Sequence, residues 1–416
     1  MMDRHDFGGV NDRTRAGGAG VVGTFRDCTL GSAFQPIFSL SHRNPVGYEA
    51  LCRAKNPDGS ALSPLTLFGQ SYGESDDVLL DRLCRAVHVQ NFAAYADDKS
   101  WLFLNVNPLV TVVGKNYGSF FSEMLAHHGI APGQVVIEIL EQNIRDEAIL
   151  SAAVSYYKEL GCLVAIDDFG ASHSNFDRVW HIQPDIVKFD RSIIVQAEAD
   201  RVVRKALPSL VSLIQELDCI ALMEGVETEQ QALIAIDSNV DLVQGYYFGH
   251  PQAALVDPSD RDDKLAQLCG KHAEFSAGNT ARYRETVGHC LAEFKAMLRR
   301  IKAGYATNEE ACAKLLMLPD VMRIYFLDEG GRQIGSNIAG GQADEIADPR
   351  YKALAEATDA NWSRRDYFKQ ALLHPGEIQL TRPYRSLAGK TQCITLSVLV
   401  DTPSGKRVAC LDLDCS

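Results

Sequence analysis

Two carboxylates stand side by side in Cys162-Leu-Val-Ala-Ile-Asp-Asp-Phe-Gly170, at the end of a short apolar run. A run of this length, bounded by turn residues, reads as a buried strand. Adjacent acids at its end repel each other, and burying them is costly unless cations compensate. Asn105, Glu138, Lys188, Glu224 and Gln244 recur in the same relation to other apolar runs. With Glu49 added, the set Glu49, Asn105, Glu138, Asp167, Asp168 and Glu224 consists of oxygen donors, with no His or Cys among them. Such a set suits Mg²⁺ or Mn²⁺ rather than zinc. Carboxylates crowded into one mouth call for roughly two divalent ions, a device that activates water and stabilises the leaving oxygen in phosphoryl hydrolysis. Lys188 and Arg53 add fixed cations. Arg grips phosphate oxygens bidentately, and a Lys beside metal and carboxylates orients or helps to deprotonate an attacking water.

The elements that position these residues alternate. Ala33–Ser39 and Val46–Arg53 read as strands around the turn His42–Pro45, so they suit a hairpin. Helical spacing then covers residues 65–95, and Trp101–Pro108 is a strand ending in amides. Further strands are Val135–Glu141, the run ending in Asp167-Asp168, Pro184–Asp190, Ile220–Val226 and Val240–Gly245. Helical stretches near 120–127, 147–160, 198–217 and 229–237 separate them. Strands alternating with helices predict a parallel sheet. About eight strands in some 230 residues predict a closed (β/α)₈ barrel, whose catalytic face is the C-terminal end of the strands. No G-x-G-x-x-G follows the first strand, which argues against a dinucleotide fold.

Composition bounds the rest. A chain of 416 residues is long for one ordinary domain. Hydrophobic content of 46% and charged content of 23% suit a globular protein. No apolar run reaches the roughly eighteen residues of a membrane span. Met1–Gly20 has no apolar signal region, and residues 1–27 are expected to be a disordered leader. Eleven cysteines without C-x-x-C pairing suggest a reducing cytoplasm rather than a disulfide frame. A net charge of −13 argues against sequence-independent nucleic-acid binding.

A charge-rich stretch, 257–265, marks a boundary. An amphipathic helix near 279–303 follows, with Tyr283, Val287, Cys290, Phe294, Met297 and Ile301 in a heptad-like row. That row suits either a dimer seam or a helix packed on its own domain. From 311 onward the pattern is α+β and ends in a hairpin. The expected division is therefore a leader 1–27, a barrel 28–256, a helical linker 257–310 and a second domain 311–416.

Residues 33–252 carry Glu49-Ala-Leu51 with Arg53, Gln35-Pro-Ile37, Asn105, Glu138-Ile-Leu-Glu141 and Asp167-Asp-Phe-Gly170. The series continues through Lys188-Phe-Asp190, Glu224-Gly-Val-Glu-Thr228 and Gln244-Gly-Tyr-Tyr-Phe-Gly249. These motifs give the stretch a resemblance to the EAL domain, which hydrolyses cyclic di-GMP to the linear dinucleotide pGpG. The resemblance implies a TIM-like barrel with an antiparallel first strand. It also assigns Glu49, Asn105, Glu138 and Asp167 to one metal, and Asp167, Asp168 and Glu224 to a second. Lys188 would contact the nucleophilic water, Gln244 would help to position it, and Gln35 and Arg53 would bind substrate. Asp190 and Glu227 would lie near the substrate, and Glu141 would steady the loop after the paired aspartates. That loop, Ala171-Ser-His-Ser-Asn175, departs from the family's usual small-Gly-Tyr-Ser-Ser run. The family also contains receptors that bind the dinucleotide without cleaving it; these typically lose motif acids, and this chain retains them. Residues 311–416 resemble PAS-like sensor domains of the Cache type, on Trp362-Ser-Arg-Arg-Asp-Tyr-Phe368, Leu380–Arg385 and the final hairpin. Trp362, Arg364, Arg365, Tyr367, Arg382 and Tyr384 either line a pocket for a small anion or are fold-determining aromatics beside solvated arginines. Expected partners are cyclic di-GMP, a second copy of the chain, and a ligand of the C-terminal domain.

Overall fold

The structure is a computed structural model that describes residues 4–70, 72–95, 99–114, 119–140, 147–171, 176–256, 263–304, 307–339, 357–385 and 392–414. Two compact units divide the chain, Met1–Glu274 and Phe275–Ser416.

In the first unit the chain starts with a helix, Phe7–Asn11, followed by β1 (Thr14–Gly17) and β2 (Gly20–Phe25). Next come β3 (Cys28–Ser39), β4 (Asn44–Lys55), β5 (Ala61–Leu62), β6 (Trp101–Asn105) and β7 (Val135–Leu140). The series ends with β8 (Leu163–Phe169), β9 (Ile186–Phe189), β10 (Ile220–Met223) and β11 (Leu242–Gln244). Eight of these close a barrel in the order β3-β11-β10-β9-β8-β7-β6-β4, with β4 pairing back to β3. The strand β3 runs antiparallel to both its neighbours, and the other barrel pairings are parallel. Residues 40–43 explain the reversal. A parallel connection needs a crossover of a dozen or more residues, and so short a link permits only a hairpin.

Ile37, Phe103, Val136, Ala165, Ile186, Leu222 and Leu242 form a separate apolar cluster, contributed by seven barrel strands. Side chains alternate along a strand, so the residue two positions on shares the same face. That residue is Asn105 after Phe103, Glu138 after Val136, Asp167 after Ala165 and Lys188 after Ile186. It is likewise Glu224 after Leu222 and Gln244 after Leu242. In the reversed β3 the count runs backwards, and Gln35 precedes Ile37. In β4 it is Glu49 after Gly47, where a Cβ would lie 2.8 Å from the Phe103 ring. One apolar tier therefore sits beneath one polar tier. A larger cluster packs the helices on the outside of the strands.

Two long helical stretches are each divided in two. Pro64–Phe68 and Glu74–Ala93 are separated near Gly73, which has φ 92°. Arg191–Ala199 and Arg201–Gln215 are separated at Asp200, whose carboxylate caps the second helix at Val202 N–H, 2.7 Å away.

The leader is not disordered over its described residues, and this corrects the expectation for 1–27. The strands β1 and β2 extend the sheet beside β3. Val10 and Phe25 are buried. The Asn91 side-chain amide clamps Val21, accepting from its N–H at 2.6 Å and donating to its carbonyl at 2.8 Å. Arg4 and Arg26 both pair with Asp76 at 3.0 Å, and buried Arg82 donates to the His5 carbonyl. Composition concealed this because the leader is held by sheet pairing and polar anchors rather than by a long apolar run. Deleting residues 1–25 is expected to cost about 2–5 kcal/mol, from lost burial of two apolar side chains and the clamps. Urea unfolding of the full chain and the truncated chain checks this, and equal midpoints would refute it.

The second unit receives the end of the helix Asp263–Ala303, on which Cys290, Phe294, Met297, Leu298 and Ile301 are buried in that unit's own core. The described part of the heptad-like row thus packs on its own domain; the Tyr283 side chain lies outside the described residues. The strands are β12 (Val321–Leu327), β13 (Gln333–Ala339), β14 (Gln379–Leu380), β15 (Tyr384–Arg385), β16 (Gln392–Thr402) and β17 (Gly405–Asp414). They form one antiparallel sheet in the order β13-β12-β17-β16-β14, with β15 also on β16. Among the described residues no helix is long and apolar enough to cross a membrane.

Candidate active site

The polar tier converges on Lys188. This side chain is 1% exposed, and its Nζ meets Glu138 Oε1, Asp167 Oδ1 at 3.0 Å and Glu224 Oε1 at 2.5 Å. Glu49 is held from two sides. Asn105 Nδ2 donates to its Oε1 at 3.1 Å, and Gln244 Nε2 donates to its Oε2 at 2.6 Å. Glu138 is fully buried, and neither of its carboxylate oxygens accepts a hydrogen bond of good geometry. Lys188 is its ion-pair partner among the described residues. The buried Oε1 of Gln244 also lacks a donor.

A bulge brings the adjacent aspartates together. Ile166 pairs with Val187 and Phe169 with Phe189, so β8 carries one more residue than β9 over this interval. In a regular strand Asp167 and Asp168 would face opposite sides. The extra residue and the left-handed backbone of Asp168, at φ 56°, break that alternation. Asp tolerates this region better than most side chains. Asp167, Asp168 and Glu224 consequently offer oxygens within 4.8 Å of one another, as do Glu49, Glu138 and Glu224. The Phe169 ring is buried edge-on against Phe176 and Phe189, which anchors the turn from below.

Electrostatics follow from the burial. Glu138 is held well above the ordinary carboxylate range, first by burial and then by Glu49 and Asp167, with Lys188 opposing. Glu224 is pushed up to about 8 by burial, with Lys188 opposing and Asp167 and Glu49 adding. For Lys188, burial favours the neutral amine, but Asp167, Glu138, Glu224 and Glu49 outweigh it and hold the ammonium well above its usual range. An acid whose folded pKa is raised keeps a proton that the unfolded chain has released. Stability then falls as pH rises from the unfolded value towards the folded one. The stabilising term from Lys188 is present throughout that window and is lost only in strong alkali. In chelator, the thermal midpoint of the barrel is expected to fall as pH rises between the ordinary carboxylate range and about 8. Calorimetry across that range checks the sign, and a midpoint rising with pH would contradict it.

The remaining sequence-predicted positions sit differently. Gln35 is cross-strand partner of Glu49, and its amide donates to the Gly249 carbonyl at 3.3 Å. Arg53 is exposed on β4 and donates to the Cys52 carbonyl at 3.1 Å. Asp190 caps the helix Arg191–Ala199, accepting from Ser192 N–H at 2.9 Å. Glu227 pairs with Arg191 at 2.7 Å rather than joining the central cluster. Glu141 and Ser172–Asn175 lie outside the described residues. In the second unit, Trp362 Nε1 donates to Gln333 Oε1 at 3.0 Å, and the Tyr367 and Tyr384 rings stack 6.5 Å apart. Arg365 lies 6.0 Å from the Tyr384 ring, whereas Arg364 and Arg382 are exposed.

Two glycines have a role that their motifs did not reveal. Gly225 has φ 63°, and a Cβ there would fall 2.4 Å from Arg191. A Cβ on Gly245 would lie 2.1 Å from the Val226 carbonyl oxygen. The loops behind Glu224 and Gln244 interlock through this close approach, with Val226 N–H donating to the Gln244 carbonyl at 3.1 Å. The only sequence signal was a glycine directly after each polar residue.

A family model described as the EAL domain matches residues 21–251. The chain is 25% identical over 350 residues to YkuI of Bacillus subtilis, an uncharacterized EAL-domain containing protein, covering 82% of this chain and 83% of that one. It is 27% identical over 226 residues to the probable cyclic di-GMP phosphodiesterase PdeB of Escherichia coli, covering 52% of this chain and 41% of PdeB. It therefore spans less than half of PdeB. The crystal structure of YkuI in complex with c-di-GMP and calcium matches with a TM-score of 0.76 at 22% identity, over 93% of this chain and 96% of that one. That coverage extends the shared fold beyond the barrel into the second unit.

Proposed function

Since the chain belongs to the EAL domain family, we propose that it hydrolyses cyclic di-GMP to linear pGpG in a reaction dependent on divalent metal, Mg²⁺ or Mn²⁺. The observation that carries this reading is the polar tier itself. Glu49, Glu138, Asp167, Asp168 and Glu224 supply oxygens to two overlapping clusters with Lys188 at their centre. One ammonium does not balance that many carboxylates, and Glu138 is buried without good hydrogen bonds. The donors present therefore fit hard divalent cations. Glu49, Asn105, Glu138 and Asp167 would hold one ion, and Asp167, Asp168 and Glu224 a second. Such ions, when bound, neutralise phosphodiester charge and acidify water.

The chain's own groups account for the rest. Asn105 and Gln244 hold the Glu49 carboxylate from both sides and fix its orientation. Lys188 shares its three donors among Glu138, Asp167 and Glu224; once divalent ions compensate those carboxylates, a donor would be freed for a hydrogen bond to the attacking water. Arg53 stands exposed on the same strand as Glu49 and is suited to a phosphate. The names of curated relatives, including PdeB, support the dinucleotide as substrate. The second unit would act as a PAS- or Cache-like regulatory domain, and the working form would be a homodimer in the cytoplasm.

Incubating the purified chain with cyclic di-GMP and Mn²⁺, and separating the products by chromatography, is expected to yield pGpG. Chelator should abolish the product, and Glu49→Ala should reduce its rate by about 10²–10³-fold. Saturable dinucleotide binding with no product at saturating metal would instead support a non-catalytic receptor.

A further inference from the structure

The second unit contains a groove of about 620 Å³ that the barrel chemistry does not use. Its floor is the buried Leu396, Val398 and Val400 of β16, and Leu291 and Leu380 stand on its sides. The volume is that of a small-molecule site. Leu380 is 45% exposed, an apolar side chain left at the lip of the groove.

Lys295, Arg299 and Lys302 also line it, from the helix Asp263–Ala303. Their spacing of four and three places them on one helical stripe. None has a carboxylate within ion-pair distance among the described residues, although the chain carries a net charge of −13. Glu377 is the one acid among the lining residues. The helix wall from Val287 to Lys302 runs for about 22 Å at the usual rise per residue. A long apolar trough with an unpaired basic row along one wall calls for a ligand with an extended apolar body and an anionic head. A symmetric contact with a second copy would bring another unpaired basic row to the same place, which like-charge repulsion disfavours.

We propose that this groove binds a free long-chain carboxylate, the acyl chain lying between Val287 and Leu291 of the helix and Ile378 and Leu380 opposite, and the carboxylate meeting Lys295, Arg299 and Lys302. The proposal does not depend on the reaction assigned to the barrel. It is tested on the full chain with the fluorescent fatty acid cis-parinarate. Saturable binding is expected at one site per chain, displaced by oleate and not by oleyl alcohol at the same concentration. Combining Lys295→Glu, Arg299→Glu and Lys302→Glu should weaken it at least tenfold, with an unchanged circular dichroism spectrum. If that triple variant misfolds, Arg299→Gln and Leu380→Gln, both at exposed positions, should each weaken binding at least threefold. Absence of saturable binding, equal displacement by the alcohol, or undiminished affinity in the folded variants would overturn the proposal. So would binding to phosphatidylglycerol vesicles without binding of monomeric oleate, which would mark a membrane-docking face. Loss of self-association in the charge-reversed chain, with no parinarate binding in the parent, would assign the groove to a second copy.

Discussion

Lys188→Met should slow cyclic di-GMP hydrolysis by about 10³-fold, the loss typical of removing a donor aimed at reacting atoms. Methionine preserves length and volume, so the substitution removes the charge and little else. The same change acts on stability. Lys188 is the ammonium shared by Glu138, Asp167 and Glu224, and Glu138 has no other cation among the described residues. Leaving a buried acid uncompensated costs about 3–5 kcal/mol. In chelator the variant should therefore melt well below the parent. Divalent ions compensate the same carboxylates, so saturating Mn²⁺ should raise the variant's midpoint by more than it raises the parent's. Product analysis and paired melts with and without Mn²⁺ measure both effects. A variant with parental turnover would remove Lys188 from the reaction. An equal or smaller Mn²⁺ shift would show that ions and lysine do not share these acids.

Glu138→Gln should lower turnover by a similar factor, about 10³-fold, yet leave the metal-free protein more stable than the parent. The parent buries a carboxyl whose one cation among the described residues is Lys188, close to Glu49 and Asp167. An amide of the same shape removes that repulsion and much of the desolvation cost. Lys188 retains Asp167 and Glu224. A gain of roughly 1 kcal/mol would raise the midpoint by about 2–4 °C. The Mn²⁺-dependent rise in midpoint should shrink, because a metal-binding charge has gone. Opposite effects on stability and activity from one isosteric change mark a residue retained for chemistry. A Gln variant less stable than the parent in chelator would mean that the Lys188–Glu138 pair is a net structural contribution.

The barrel was legible because its information is local and repeated. Each apolar run ends in a polar residue, and the runs alternate with helical spacing. The family motifs lie at those same ends. The turn His42–Pro45 suited a hairpin and the EAL resemblance implied a reversed first strand, and the antiparallel pairing of β3 with β4 agrees with both. What escaped was information carried by partners. The leader has little apolar periodicity, and its order comes from edge pairing with β3 and from clamps by Asn91, Asp76 and Arg82. The stretch 65–95 read as one helix, because apolar spacing persists across a glycine at positive φ. The expected helix 198–217 corresponds to Arg201–Gln215, whose start Asp200 caps, and the helix before it, Arg191–Ala199, was not expected.

By itself, then, the sequence determined the chemistry available: oxygen donors, one lysine and several amides at recurrent strand ends, and no nitrogen or sulfur ligand among them. That is a matter of residue type and of period-two spacing, which the chain carries without reference to its fold. Only the tertiary structure decided how the residues are used. Closure of the barrel puts the acids on one lysine. The bulge in β8 turns two adjacent aspartates, which a regular strand would face apart, towards the same cluster. Register and curvature arise from long-range pairing, so no spacing along the chain encodes them.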